Sequence, residues 1–418
     1  GSQLHKEDYV EVGTPIITVE HLGNNRISHS DTPFVKDEDK ERLSKYQLKS
    51  GDIVFSRVGS VDRRALVRKE EDGWLFSGRC LRVRVDKTRI DPVYLSYFFG
   101  LESFKRYIRS IAVGATMPSI NTKILSDLPI YYPECLEEQR RIAHTLITND
   151  EKANINYQIN KTLEEMAQAI FKSWFIDFDP VKAKMRGEQP EGMDVATAAL
   201  FPEKLVESEL GLIPEGWDIN YIKDFGKVVT GKTPPKKVED AYAEEGVPFV
   251  TPSDIDSDVF VSETKRFLSE SGVEAVKKNL LPEGSICVTC IGSQMGKAVI
   301  SPSEAISNQQ INSVVVAKDY ERNFLFLNLR RRREEIFLIG SSGSTMPIIN
   351  KSTFEKLAVL TPSEELMRSF DRAVSSLLSK IHQNAIENQT LSSLRETLLP
   401  KLLSGEIELD IAEVNLND

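Results

Sequence analysis

Seven arginines stand close together early in this 418-residue chain: Arg57, Arg63, Arg64, Arg68, Arg79, Arg82 and Arg84. Their guanidinium groups are flat, permanently charged forks that match phosphate oxygens or the O6/N7 edge of guanine. Between Arg42 and Arg109 there are 16 basic residues against 8 acidic ones, a local excess suited to neutralising phosphates. A second polar group lies far downstream: Gln294 and Lys297 in "GSQMGK", then Asn308, Gln309 and Gln310 in "SNQQINS". Asn and Gln amides can pair bidentately with adenine. "RRRR" (Arg330–Arg333) adds a cationic turn. On solvated faces and surface loops the same residues would do nothing more than keep the surface wet.

A reaction centre, by contrast, is not written in the sequence. There is no GxGxxG, HExxH or GxSxG, and "GSSGST" (Gly340–Thr345) lacks the spacing and lysine of a phosphate loop, so it reads as flexible loop. "TPPK" (Thr233–Lys236) lacks the amide or acid and the aromatic of the Asn/Asp-Pro-Pro-aromatic stretch expected in an amino-methyltransferase. Cys287 and Cys290 form a CxxC. Their run is strand-like, which sends residues three apart to opposite faces. No second CxxC or histidine pair completes a zinc site. Buried strand cysteines are the expectation, and the five histidines cluster with nothing. Four cysteines make no disulfide scaffold and point to a reducing cytoplasm.

The net charge of −10 argues against a protein that coats DNA indiscriminately. No apolar run approaches the roughly 18 residues of a membrane helix, and "GSQLHKEDYV" lacks the apolar core of a secretory signal. The composition, 40% hydrophobic and 28% charged, is that of a globular protein of two to four domains.

What positions the polar groups is legible in a repeat. "GATMPSIN" (Gly114–Asn121) returns as "GSTMPIIN" (Gly343–Asn350). Ahead of the two phrases, Gly51 and Gly59 fall on Gly284 and Gly292, and "GTPIITVEHL" falls on "GVPFVTPSDI" at the same offset. Behind them, "NKTLEEMAQAIFK" (Asn160–Lys172) pairs with "NQTLSSLRETLLP" (Asn388–Pro400). The period exceeds that of a solenoid, so the chain reads as two diverged copies of a domain plus a helix. "GDIVFSRVG", "WLFSG" and "CLRVRV" read as strands, Val93–Ile111 as helical, and Asn121 and Asn350 as N-caps of short helices. The repeated phrase itself reads as a glycine-permitted loop, a stiff Met-Pro step and a helix start.

The fold class that follows is α/β (α+β): two similar domains joined by two long antiparallel helices forming a coiled coil. The first domain spans 1–133, the first long helix 134–178, a connector 179–210, the second domain 211–362, the second long helix 363–404, and an acidic tail 405–418. The first stripe runs through Ile142, Leu146, Ile155, Ile159, Leu163, Met166, Ile170 and Trp174, with a break expected near Thr148–Asp150; the second runs from Leu366 to Leu402, and Gly405 stops it. Each helix is roughly 60 Å long.

The connector carries a resemblance. "FKSWFIDFDPVKAKMRGEQPEGMDVATAALFP" followed by "LGLIPEGW", together with "PECLEEQRRIA", "LRETLLPKLLSGEIEL" and the paired "TMP…N" loops, resembles the specificity subunits of Type I restriction–modification systems over nearly the whole chain. The resemblance implies two target-recognition domains in pseudo-twofold arrangement, each reading half of a split double-stranded DNA site, with the helices as a ruler for the gap. It implies a chain that is not an enzyme, docks two modification (methyltransferase) subunits and then restriction subunits, and holds no cofactor of its own: S-adenosylmethionine and ATP belong to the partners. The residues expected at DNA are Arg57, Arg63, Arg64, Arg79 and Arg82 in the first domain and Gln294, Lys297, Asn308, Gln309 and Gln310 in the second. The rival readings are a coiled-coil scaffold without a nucleic-acid role and a DNA methyltransferase or nuclease with unfamiliar motifs. Two departures stand out. The first copy lacks the lead-in "LIPEGWDINYIKDFGKVVTG", so it reads as truncated, trimmed or completed by the tail. Gln139 of "EEQRRI" has no glutamine counterpart in "EELMRSF"; a glutamine that met a partner subunit would make the two helix starts dock unequally.

Overall fold

The computed structural model describes residues 4, 8–209, 211–255, 258–341 and 347–407. The tail beyond 407 and the first half of the second repeated phrase, 343–346, therefore lie outside the described residues. The chain divides into two compact units, Gly1–Ala153 with Thr390–Asp418, and Asn154–Gln389.

The first unit holds β1 (Thr14–Ile17), β2 (Phe34–Val35), β3 (Ile53–Ser56), β4 (Arg64–Leu66), β5 (Leu75–Phe76) and β6 (Cys80–Val83). They form two sheets: β2-β1-β5, in which β1 is parallel to β5, and the antiparallel β4-β3-β6. The run "IVFS" is apolar throughout because both faces of β3 are covered: Ile53 and Phe55 join one core cluster and Val54 another. Beside the sheets lie α1 (Asp37–Arg42), α2 (Pro92–Phe98), α3 (Glu102–Ile111) and α4 (Thr122–Ser126). The helical stretch Val93–Ile111 is thus two helices. Gly100 sits at the break, where a Cβ would fall 2.3 Å from the Arg64 guanidinium.

α5 (Leu136–Phe175) is one 40-residue helix with no break at Thr148–Asp150. Asp150 is polar there because it is bonded sideways, accepting from the Tyr97 hydroxyl at 2.7 Å and pairing with Arg395 at 3.2 Å. The helix starts are unequal for an internal reason. Gln139 is fully buried, accepts from the Asp91 N–H at 2.8 Å and donates to the carbonyls of Pro133 and Arg89. It ties α5 to its own unit and presents nothing to a partner.

In the second unit the connector is folded. It forms α6 (Asp179–Met185), α7 (Val195–Ala199) and the hairpin β7 (Leu205–Ser208) and β8 (Gly211–Pro214). Val181 and Phe201 are buried in the same cluster as Phe171, Phe175, Trp217, Phe324 and Phe370. Trp174 meets Phe201 edge-on at 5.3 Å and Phe175 meets Phe370 at 4.9 Å, geometries that add to simple burial. The "FKSWF" segment is therefore an aromatic core.

Then come β9 (Asp218–Tyr221), α8 (Ile222–Phe225), β10 (Gly226–Thr230), β11 (Tyr242–Ala243), β12 (Val247–Val250), β13 (Phe267–Leu268), α9 (Glu270–Ala275), β14 (Ile286–Thr289), β15 (Ala298–Ile300), β16 (Ile306–Ser307), β17 (Ile311–Val316), α10 (Asp319–Arg331), α11 (Arg333–Ser341), α12 (Lys351–Glu355), β18 (Ala358–Thr361) and α13 (Glu364–Ser404). The sheet β11-β13-β12-β16 repeats β2-β1-β5, including its parallel pair, and β15-β14-β17 repeats β4-β3-β6. The lead-in supplies a fourth strand, β10, against β17; among the described residues β6 has no such neighbour. α13 has 41 residues and ends at Gly405 with φ +73°. Asn121 and Asn350 cap α4 and α12 as expected.

The expected stripe is buried at Ile142, Leu146, Leu366, Phe370, Val374, Ile381 and Leu402 and departs in the middle of α5. Ile155, Ile159 and Met166 are exposed on α5, as is Leu394 on α13. In the second unit the inward face of α5 runs through Asn156, Ala167, Phe171 and Phe175 instead. Two neighbouring stripes of α5 are apolar, and the aromatic core decides which one turns inward.

Candidate nucleic-acid interface

Three of the expected arginines reach one edge of the β4-β3-β6 sheet. Arg57 follows β3, Arg63 precedes β4 and Arg79 precedes β6. Strand ends bring them together: the Arg57 N–H donates to the Arg79 carbonyl at 2.8 Å, and the Ser56 N–H to the Arg63 carbonyl at 3.0 Å. Arg57 is exposed, its guanidinium 3.5 Å from the Gly78 carbonyl. Arg79 is exposed and makes no side-chain hydrogen bond or ion pair among the described residues. Arg63 is exposed but already donates to the Leu22 carbonyl.

The second unit builds the same edge with other side chains. Gln294 and Lys297 lie in the β14–β15 hairpin, and Asn308, Gln309 and Gln310 run into β17. The Cys290 N–H donates to the Gln310 carbonyl at 2.7 Å, the bond that joins Arg57 to Arg79 in the first unit. Gln310 thus holds the backbone place of Arg79, and Cys290 that of Arg57. Gln294 is exposed at the hairpin tip; Gln309 is exposed and accepts from the Thr233 hydroxyl at 2.8 Å.

The repeated phrase is a brace for this edge. Gly59 N–H donates to the Pro118 carbonyl at 2.8 Å, and Gly292 N–H to the Pro347 carbonyl at 2.9 Å. Ile120 N–H reaches the Arg57 carbonyl at 3.0 Å, and Ile349 N–H the Cys290 carbonyl at 2.9 Å. Gly59 and Gly292 have φ +79° and +86°, a region that disfavours side chains. The phrase recurs because each copy must hold the same strand end against the same loop.

Several expected readers are instead internal. Arg64 is buried, and its Nε donates to the Ser96 carbonyl at 2.6 Å. Burial pushes its pKa down to about 10, so it stays charged at neutral pH. Arg82 donates to the Gln47 carbonyl at 2.8 Å and lies over Phe76. Lys297 donates to the Ile255 carbonyl at 3.1 Å. Asn308 is buried, and its carbonyl oxygen accepts from the Gln310 N–H while its amide donates to the Gln310 side chain. In "RRRR", Arg330 pairs with Glu164 at 2.6 Å and Arg332 donates to the Ala358 carbonyl at 2.7 Å, leaving Arg331 and Arg333 exposed. Buried carbonyls need donors, and a long guanidinium can supply them from a strand end. The sequence reading missed Lys232 and Thr233: the Lys232 N–H donates to the Ser307 carbonyl at 2.7 Å, which sets both beside the amide run. The signal available was the basic stretch "GKTPPKK".

Cys287 and Cys290 are buried in different core clusters, as opposite strand faces require, and burial pushes their thiols up to about 11 and about 12. Among the described residues no three His, Cys, Asp or Glu side chains are grouped to hold a metal ion, and no helix is long and apolar enough to cross a membrane.

Fold and edge together define a duplicated recognition protein, one scaffold presenting two differently furnished rims. Residues 2–165 and 214–396 match the family model described as the Type I restriction modification DNA specificity domain. The chain belongs to that family. It is 32% identical, over 92% of its own length and 92% of the relative's, to the Type I restriction enzyme HindI specificity subunit of Haemophilus influenzae. It is 27% identical, over 80% of its length and 74% of the relative's, to the MjaIX specificity subunit of Methanocaldococcus jannaschii. A crystal structure of a Type I restriction–modification S subunit from M. genitalium shares the fold, with a TM-score of 0.60 at 17% identity, covering 96% of this chain and 92% of that one.

Proposed function

We propose that each unit reads one half of a bipartite double-stranded DNA site, the first through Arg57 and Arg79 at its rim, the second through Gln294, Gln309 and Gln310. The observation that carries this is the exchange at one backbone place: Arg79 in one copy, Gln310 in the other, both at the foot of the strand that pairs with the central one. A guanidinium suits guanine or phosphate and an amide suits adenine, so one scaffold selects two sequences. Lys232 lies beside the second rim as a phosphate contact. Arg63, Arg82 and Lys297 reach DNA only by giving up the carbonyl bonds they make, and Arg64 and Asn308 serve the rims from behind.

On this reading the chain catalyses nothing. It brings two modification subunits, which carry S-adenosylmethionine, and restriction subunits, which use ATP, to a site it chooses, in the cytoplasm, and the long helices set the gap between half-sites. Methylome sequencing of a host carrying the chain with its modification partner gives one split motif. Gln310→Ala relaxes one half of that motif and leaves the other half intact. A motif unchanged by both Gln310→Ala and Arg79→Ala defeats the assignment. Duplex binding that does not weaken with salt favours the scaffold reading, because phosphate contacts release counterions.

A further inference from the structure

The seam between α5 and α13 in the second unit is apolar along Ala167, Phe171, Phe370, Val374 and Ile381, then turns polar. Four asparagines meet there: Asn156 and Asn160 on α5, Asn384 and Asn388 on α13. Each helix spaces its pair four residues apart, which puts both on one face. Asn156 Nδ2 donates to Asn388 Oδ1 at 3.0 Å and to Glu387 Oε2 at 2.8 Å. Asn384 Nδ2 donates to Asn160 Oδ1 at 2.8 Å, and Asn160 Nδ2 to the Ile381 carbonyl at 3.4 Å. Asn156 and Asn384 are buried, at 6% and 1% exposure.

The contacts are crosswise. In the sequence repeat Asn156 corresponds to Asn384 and Asn160 to Asn388. In space Asn156 meets Asn388 and Asn160 meets Asn384, so each pair is the other's repeat image. Such self-complementarity is what an isologous contact requires. It comes at an energetic disadvantage, since Asn384 Oδ1 is buried with no hydrogen-bond partner among the described residues. An amide in a helix seam weakens the pair but singles out the register in which amides face one another. A slip of one turn keeps only one amide pair, Asn156 with Asn384 or Asn160 with Asn388. It sets the other two asparagines against Lys380 and Lys152 or against Ser392 and Glu164, so only the observed register pairs all four amides. Apolar seams alone tolerate such slips.

We infer that the Asn156–Asn160–Asn384–Asn388 quartet is the register lock of the helix pair, holding α5 and α13 in one axial alignment. Its consequence for recognition rests on the proposed function, in which the helices set the gap between half-sites.

The test uses the full chain with Cys135→Ser, spin-labelled at the exposed positions Gln158→Cys and Gln383→Cys. With the quartet intact, pulsed electron paramagnetic resonance gives one narrow interhelical distance. Asn156→Leu with Asn384→Leu adds a second population, from helices slid past one another by about 5 Å, one turn. A single unchanged distance in that variant overturns the inference. If the double variant does not fold, Asn384→Leu alone is read in the same way. Methylation assays with the modification partner then separate the two claims. A slipped register accompanied by new gap lengths supports both, whereas a slipped register with an unaltered gap keeps the lock and removes the ruler.

Discussion

The rim of the first unit is made of arginines and the rim of the second of amides, on strands that superpose bond for bond in their hydrogen-bonding scheme. Arg57 N–H to Arg79 carbonyl matches Cys290 N–H to Gln310 carbonyl, and both edges are braced by a proline carbonyl, Pro118 in one and Pro347 in the other. The backbone is thus common property and the side chains at its edge are not. A scaffold whose core is satisfied by its own apolar and backbone contacts leaves the rim positions free to diverge without loss of fold.

The comparison breaks most visibly at Arg64, which sits among the rim arginines in sequence and behind them in space. Arg64→Ala removes a buried donor and opens a void against Gly100 and Ser96. We expect it to destabilise the first unit by about 3 kcal/mol, read as an earlier first transition in urea unfolding with the second transition in place. An Arg64→Ala chain of undiminished stability with lost DNA affinity would return this residue to the rim.

Gln139 tests the same asymmetry at the helix starts. Gln139→Ala orphans the Asp91 N–H and two carbonyls, so a loss of about 2 kcal/mol is expected. Leu366 holds the start of α13 by apolar burial, so Leu366→Ala should match it in magnitude but respond differently to temperature, through a smaller heat-capacity change. Calorimetry of the two variants decides this.

At the rims themselves, Arg79→Ala should weaken duplex binding by about 1–2 kcal/mol and reduce the salt slope by about 1 if it meets phosphate. Gln310→Ala should change base preference at one position and leave the salt slope alone. Equal salt behaviour of the two variants would erase the chemical contrast between the units.

The smallest effect concerns thiols. Burial pushes Cys80 and Cys287 up to about 11 and Cys290 up to about 12, while Cys135 is exposed. Native protein at pH 8 should release one equivalent in a disulfide-exchange assay and four after denaturation. Rapid reaction of a second thiol would mean that a core strand opens in the native state.

Much of the fold was readable in advance because repeats and periodicity are local. The offset between Gly59 and Gly292, the caps at Asn121 and Asn350, and the helix stop at Gly405 all depend on a few neighbouring residues. The connector was harder. Its Pro and Gly residues read as a link, yet Val181 and Phe201 are buried among aromatics contributed by distant segments. The helix stripe held at Ile142, Leu146, Leu366, Phe370 and Val374 but departed at Ile155, Ile159, Met166 and Leu394, which are exposed. Ile155 and Ile159 are as apolar as any core residue, and only the packing shows that Asn156, not they, turns inward. Arg64 and Arg79 are chemically identical, and no pattern distinguishes a guanidinium that satisfies a buried carbonyl from one left for a ligand.

The sequence by itself determined that a domain and a long helix occur twice, that the copies differ in polar side chains at matching places, and that the GxGxxG, HExxH and GxSxG patterns do not occur. Those facts follow from residue type and spacing along one chain. The tertiary structure alone decided which arginines face outward, that the connector belongs to a core, and that four repeat-related asparagines meet across a helix seam. Such outcomes depend on which distant groups compete for the same space and the same hydrogen bonds, and that competition exists only once the chain has folded.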